Sequence, residues 1–291
     1  MDAVNRLSDG VRPSDLLALD GGSQSAPPPR QARAQGCISL VGAGPGDPEL
    51  LTFKAAKRIA SADVVVYDRL VGEGILALIP PTARKLYVGK RKSYHSVPQA
   101  EVNRLLVALA KQGLTVVRLK GGDPFIFGRG GEEMLAARAA GVACEIVPGV
   151  SSGVAAAAAA QIPLTHRHIA QAVTFVTGHA TPEGKLDLDW QALARPNQTV
   201  VIYMGLSAAA QIAVQLLDAG RVPDTPIALI ENASLPEERI HLSDLGGLAE
   251  ASLRCAGPTV VLIGEVAGLA AQHGMAEAVL PPPMVRAEDA A

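Results

Sequence analysis

Val116-Val117-Arg118-Leu119-Lys120-Gly121-Gly122-Asp123-Pro124-Phe125-Ile126-Phe127-Gly128-Arg129-Gly130-Gly131-Glu132-Glu133 is the stretch on which the fold turns. Its β-branched apolar run stops at Gly121-Gly122, and a helix-compatible run resumes after Gly130-Gly131. This is a strand delivering a loop at its carboxyl end, where open α/β sheets bind ligands. Glycines let backbone come close to a ligand, and Asp123 offers a carboxylate to hydroxyls or amines. Phe125 and Phe127 are two of only four phenylalanines in the chain. Arg129 stands between glycines, so no adjacent side chain buries its guanidinium. Gly-Gly-Asp-Pro alone is an ordinary turn; the full string is rarer and points to a site.

The same alternation extends outward. Cys37-Ile38-Ser39-Leu40-Val41-Gly42 reads as a buried strand, followed by the loop Ala43-Gly44-Pro45-Gly46-Asp47-Pro48, a helix over 50–61 and a strand over 63–68, which makes a βαβ unit. Asp47 before Pro48 fits a helix N-cap with proline in the first turn. The glycine spacing rejects a dinucleotide fingerprint: the third glycine falls at position 47, which is aspartate, and Pro45 lacks the amide a pyrophosphate needs. Further strands are expected at 84–88, 144–147, 172–178, 199–205, 227–230 and 259–264. Helices are expected at 98–113, at 131–140, after a Ser151 or Ser152 cap, and from a Ser207 cap to Gly220. The fold class is therefore α/β: two α/β domains with mostly parallel sheets, at 37–165 and 166–272. Residues 1–36 read as a disordered N-terminal tail rich in Gly, Ser, Pro and Gln, and 273–291 as a C-terminal tail.

Composition agrees with close-packed helices on buried strands: 48% of residues are apolar, only 3% are aromatic, and there are 29 glycines. A formal charge of −2 gives no global field for nucleic acid or a membrane surface, and neither partner is expected. Cations nevertheless gather locally: Arg84, Lys85, Lys90, Arg91 and Lys92 occur with no acid between them, a patch suited to a polyanionic small molecule. Cys37, Cys144 and Cys255 are widely spaced and never form Cys-x-x-Cys, so no disulfide framework is expected and the cytoplasm is the expected compartment. His166 and His168 lack a third ligand nearby in sequence, so no metal is expected. No apolar signal core opens the chain.

Taken together these motifs resemble the tetrapyrrole methylase family. The resemblance is carried by Val41-Gly42-Ala43-Gly44-Pro45-Gly46-Asp47-Pro48, Val66-Tyr67-Asp68-Arg69-Leu70, the Arg118–Gly130 string, Val147-Pro148-Gly149-Val150-Ser151-Ser152, Pro163-Leu164-Thr165-His166-Arg167 and Tyr203-Met204-Gly205, and it covers about 37 to 270. It implies a cofactor cleft between two domains, S-adenosylmethionine as the methyl donor, and uroporphyrinogen III as the substrate. That substrate would be methylated twice, at C2 and C7, to precorrin-2 via precorrin-1. Pro45, Gly121, Gly122, Asp123, Ile126, Ser151 and Ser152 would line the cofactor from the first domain, and Met204, Ala233 and Thr259 from the second. Lys90, Arg91, Arg129, His166 and Arg167 would meet the substrate's carboxylates and ring. Arg129 would orient substrate and stabilise charge, and Asp47 would accept the proton that methylation releases. Ser151-Ser152 departs from the usual Thr-Ala but keeps the first hydroxyl. The length leaves no room for the dehydrogenase–ferrochelatase module sometimes fused to such domains, so methylation alone is expected, by a homodimer. Two other readings compete: a family member acting on a later corrinoid or a protein-bound amino acid, and a non-catalytic sensor of an adenosyl ligand.

Overall fold

A computed structural model describes residues 36–89, 97–181 and 184–272. The chain forms two compact units, Met1–Ser151 and Ser152–Ala291. The division falls earlier than the expected 165/166, and the reason is packing. The helix Ser152–Ala159 buries Ala156 and Ala157, and Ala160 follows it, against Val201, Ala228 and Leu262, all of the second unit. The tails expected at 1–36 and 273–291 lie outside the described residues, Gly36 excepted.

In the first unit, β1 (Cys37–Gly42), β2 (Val64–Tyr67), β3 (Arg84–Tyr87), β4 (Thr115–Lys120) and β5 (Ala143–Val147) form a sheet in the order β3-β2-β4-β1-β5. Every pairing in it is parallel. Successive strand residues point to opposite faces, so Val64 and Val66 enter one core while Val65 enters the other. Leu105, Leu106 and Leu109 of α3 (Gln99–Lys111) cover the first face, and Ala55 and Ile59 of α1 (Phe53–Ala60) with Ile75 of α2 (Glu73–Ala77) cover the second. Cover on both faces is why the central strands β1, β2 and β4 read as mostly apolar. Helix α4 (Gly130–Ala139) follows the opening loop. The helix after β1 begins later than expected: Asp47 caps only a 3-10 turn, Pro48–Leu50, by accepting from the Glu49 amide at 2.8 Å, and Thr52 caps α1 by accepting from the Ala55 amide at 3.1 Å.

In the second unit, β6 (Ala172–Thr177), β7 (Gln198–Tyr203), β8 (Pro226–Glu231), β9 (Arg239–Asp244) and β10 (Thr259–Ile263) are ordered β6-β7-β10-β8-β9. Here the expectation of a mostly parallel sheet fails. Only β6–β7 is parallel, and β7–β10, β10–β8 and β8–β9 are antiparallel. The physical cause is connection length, because the short link from Glu231 to Arg239 returns the chain as a hairpin and cannot make a parallel crossover. The remaining helices are α5 (Ser152–Ala159), α6 (Trp190–Leu193), α7 (Ala209–Asp218), α8 (Leu248–Ser252) and α9 (Gly268–Gln272). Ile212 and Leu216 of α7 pack with Leu248 of α8 on one sheet face, and α5 packs on the other. Ser207 does not cap α7; it lies in a 3-10 turn, Leu206–Ala208, that precedes it. Among the described residues no helix is long and apolar enough to cross a membrane.

Glu145 on edge strand β5 accepts from Arg58 Nε at 2.6 Å and also pairs with Lys54. The Arg58 hydrogen bond, then that of Lys54, hold its pKa down from 4.5 to about 2. A carboxylate depressed in the folded state stabilises above its unfolded pKa and loses that contribution as pH falls through the folded value. Glu145→Gln is therefore expected to flatten the loss of stability between pH 4.5 and about 2, read as the shift of the urea midpoint with pH. Curves for parent and variant that stay parallel across that window would refute the assignment.

Candidate active site

Three loops meet at the carboxyl edge of the first sheet, after the adjacent strands β4, β1 and β5. Gly44 and Gly122 form an antiparallel bridge, with Gly122 N donating to Gly44 O at 2.7 Å and Gly44 N to Gly122 O at 3.2 Å. A Cβ on Gly149 would stand 2.4 Å from Gly122 O, and one on Gly42 would stand 2.5 Å from Gly149 N. Gly122 itself has φ +66°. The glycines thus let backbone press on backbone at this junction. Gly121 shows the same, since a Cβ there would lie 2.7 Å from Leu70 O. Asp123 ties the junction together: Oδ1 accepts from Phe125 N at 2.8 Å and Oδ2 from Gly149 N at 3.1 Å.

On the rim of this junction, Pro45, Gly121, Asp123 and Ile126 are half-buried and Gly122 is buried. Ser151 is buried at the end of the β5 loop. Phe125 and Phe127 are exposed, and Phe127 and Arg129 hold left-handed backbones (φ 52° and 58°), a conformation that costs non-glycine residues about 1–3 kcal/mol and clusters at functional sites. Arg129 precedes α4 with its side chain 58% exposed, and its fork donates to Glu132 Oε1 at 2.7 Å and Oε2 at 2.9 Å. That hydrogen bond pushes the guanidinium pKa further up. Asp47 is half-buried, with Oδ1 turned to Glu49 N. Lys90 and Arg91 lie outside the described residues.

In the second unit, strand directions bring the carboxyl ends of β7 and β8 and the amino end of β10 to one edge. Met204, Ala233 and Thr259 are therefore neighbours there, and Asn232 N donates to Pro258 O at 2.9 Å across the same edge. Met204 is 51% exposed with φ 54°, and Asn232 and Ser234 are left-handed too. Met204 and Thr259 line an open hollow of about 840 Å³. Ser152 begins α5 and is half-buried. His166 and Arg167 are exposed on a turn closed by the His166–Ala170 bridge, and His166 Nδ1 lies 2.8 Å from Arg167 O.

The arrangement also exposes residues that the motifs did not assign. Tyr203 Oη accepts from Gly153 N at 2.8 Å at the start of α5, where a Cβ on Gly153 would collide with the phenol. Beneath the opening loop, Glu133 Oε1 accepts from Arg118 Nε at 3.0 Å, Lys120 Nζ at 3.1 Å and Gln99 Nε2 at 3.2 Å, while Arg118 Nη2 donates to Asp68 Oδ2 at 2.9 Å. Two cations at alternate positions of an apolar strand were the available signal.

The family model of the Tetrapyrrole (Corrin/Porphyrin) Methylases matches residues 38–249, which take in every strand but the last. The chain belongs to the tetrapyrrole methylase family. It is similar to uroporphyrin-III C-methyl transferase from Thermus thermophilus, solved with S-adenosyl homocysteine, with 44% identity and a TM-score of 0.70 over 80% of this chain and 100% of that one. Siroheme synthase of Chromobacterium violaceum is 48% identical over 266 residues, 91% of this chain and 56% of the relative. Siroheme synthase of Photorhabdus laumondii is 51% identical over 239 residues, 82% and 51% respectively. The chain spans about half the length of the curated relatives it matches. As a tetrapyrrole methylase it is an enzyme of the methyltransferase class.

Proposed function

We propose that the chain is an S-adenosylmethionine-dependent C-methyltransferase that methylates uroporphyrinogen III at C2 and C7, giving precorrin-2 through precorrin-1. The observation that carries this reading is the junction of Gly42, Gly44, Gly122 and Gly149 at the carboxyl edge of the parallel sheet, in a chain whose sequence follows the family across 38–249. The residues present suit the cofactor: the rim Pro45, Gly121, Gly122, Asp123, Ile126 and Ser151 offers backbone amides and carbonyls, a carboxylate and a hydroxyl, and Ser152, Met204, Ala233 and Thr259 add a second set. S-adenosylmethionine supplies a methyl group on a sulfonium, which an electron-rich pyrrole carbon takes as the carbon–sulfur bond breaks. The chain's part is placement, which alone supplies several kcal/mol.

Arg129 acts as a fixed cation. Its pKa, already beyond reach for a base and raised by Glu132, rules out proton acceptance, so it holds a substrate carboxylate and balances charge. Asp47 takes the proton lost from the methylated macrocycle, its carboxylate oriented by the Glu49 amide on Oδ1. Lys90, Arg91, His166 and Arg167 supply further contacts for a carboxylate-rich ring. The working form is a homodimer, which the mass in solution tests.

Anaerobic incubation with uroporphyrinogen III and S-adenosylmethionine is expected to give more than one S-adenosylhomocysteine per chain and a chlorin-like product carrying two new methyl groups. Turnover on a later corrinoid with none on uroporphyrinogen III would reject the substrate and keep the family. Binding of S-adenosylhomocysteine without any turnover would instead support a sensor.

A further inference from the structure

Glu231, His241 and Cys255 come together in the second unit from three elements: the end of β8, the middle of β9, and the turn after α8. Register explains the first two. His241 lies opposite Leu229 in the antiparallel β8–β9 pair, and Glu231 is two residues on from Leu229, so both side chains stand on the same sheet face as diagonal neighbours. Cys255 packs against the apolar cluster that contains Leu229. Its turn is pinned to the strand by Ala256 N donating to Glu231 Oε1 at 2.7 Å, with Gly257 N donating to the same oxygen. One oxygen, one nitrogen and one sulfur consequently lie within 4.8 Å of one another.

Two observations separate this cluster from ordinary packing. His241 Nε2 is buried and has no hydrogen-bond partner among the described residues, which buried polar atoms rarely tolerate. Both backbone amides engage Oε1 of Glu231, which orients the carboxylate, and among the described residues its second oxygen remains for a ligand. Imidazole nitrogen, thiolate and carboxylate together form a zinc donor set and are poorly matched to magnesium or calcium, which take oxygen. Cys255 is a free thiol that lines the 840 Å³ hollow, so the cluster is approached from its sulfur side.

We propose that Glu231, His241 and Cys255 form a zinc site that fastens the β8–β9 hairpin to the turn at 253–258. On binding, Cys255 gives its proton to solvent as the zinc–sulfur bond forms, and His241 Nε2 gains the partner it lacks. Sequence alone pointed away from a metal, because no regular spacing links the three residues. The site does not depend on the methyltransferase reading and is tested without turnover.

The full chain, stripped with a chelator, is titrated with cobalt(II) and then zinc. The expected result is about one tightly held ion per chain, with tetrahedral d–d bands and a thiolate-to-cobalt charge-transfer band that zinc abolishes, and a higher thermal midpoint with zinc. The Cys37→Ser, Cys144→Ser double variant should keep the charge-transfer band, Cys255→Ser should lose it, and His241→Asn should weaken cobalt binding at least tenfold. A band absent from the parent chain, or one lost with Cys37 and Cys144 but kept without Cys255, overturns the site. Should Cys255→Ser fail to accumulate, X-ray absorption of the cobalt-loaded parent decides: sulfur in the coordination shell supports the proposal and its absence refutes it.

Discussion

Arg129→Ala is expected to lower methylation turnover by on the order of 100-fold, the scale of losing one preorganised charged or hydrogen-bonding group at a reacting centre, while S-adenosylhomocysteine binds as before. Alanine meets the same left-handed backbone at φ 58° that arginine does, so the change removes the fork without a new backbone penalty. Stability should hardly move, because the Arg129–Glu132 pair is exposed on both sides and such pairs contribute about 0–1 kcal/mol. The pair matters for another reason. Glu132 already takes the Nε–Nη2 edge of the guanidinium, so an incoming carboxylate meets the Nη1–Nη2 edge or displaces Glu132. Arg129→Lys keeps the charge and loses the two-pronged geometry, and should fall between parent and alanine. Steady-state rates with uroporphyrinogen III, beside an S-adenosylhomocysteine titration and a thermal melt, separate these effects. Parent-like turnover in Arg129→Ala would remove this residue from the site.

The first unit was legible because its strands are buried on both faces. Cys37–Gly42 carries an apolar signal interrupted only by Ser39, and its bounds in the structure match the reading. The second unit misled for the converse reason. Arg239-Ile240-His241-Leu242-Ser243-Asp244 is a half-buried edge strand, its mixed composition hides it, and without it the antiparallel hairpin with β8 cannot be inferred. Helix α2, five residues after Gly72, is too short to show a period. At the candidate site, glycine positions were readable but the backbone contacts they permit were not. That Gly122 meets the backbone of Gly42 and Gly149 depends on what lies across the sheet edge, and spacing along one strand does not report that. Glu133 is a similar case. It sits in a run of acids at the start of α4 and looks solvated, yet it is 1% exposed because Arg118 and Lys120 project beneath it.

Glu133→Gln is accordingly expected to destabilise the first unit by about 3–5 kcal/mol, the range for removing one partner of a buried ion pair. Gln keeps the shape and one acceptor, so the loss reports charge more than volume. Arg118 retains Asp68 at 2.9 Å, which leaves Lys120 as the uncompensated group. Burial, and then the neighbouring Arg118 charge, already push the Lys120 pKa down, and Glu133 opposes both. Without Glu133 the folded-state pKa should fall further below 10.5, its ordinary value. The unfolded chain then binds more protons than the folded one between those two pKa values, so unfolding free energy rises with pH across that window. The deficit of Glu133→Gln should therefore narrow as pH approaches 10.5, and adding Lys120→Met should recover part of it at neutral pH. Glu250→Gln, which breaks the exposed pair with Arg254, serves as the contrast and should cost no more than about 1 kcal/mol. Urea midpoints at several pH values read all four chains. A Glu133→Gln deficit as small as that of Glu250→Gln, or one that widens with pH, would show that Lys120 does not depend on this carboxylate. Lys120 immediately precedes Gly121-Gly122, so the same variant also tests whether the loop junction is held from below by charge or by its glycines alone.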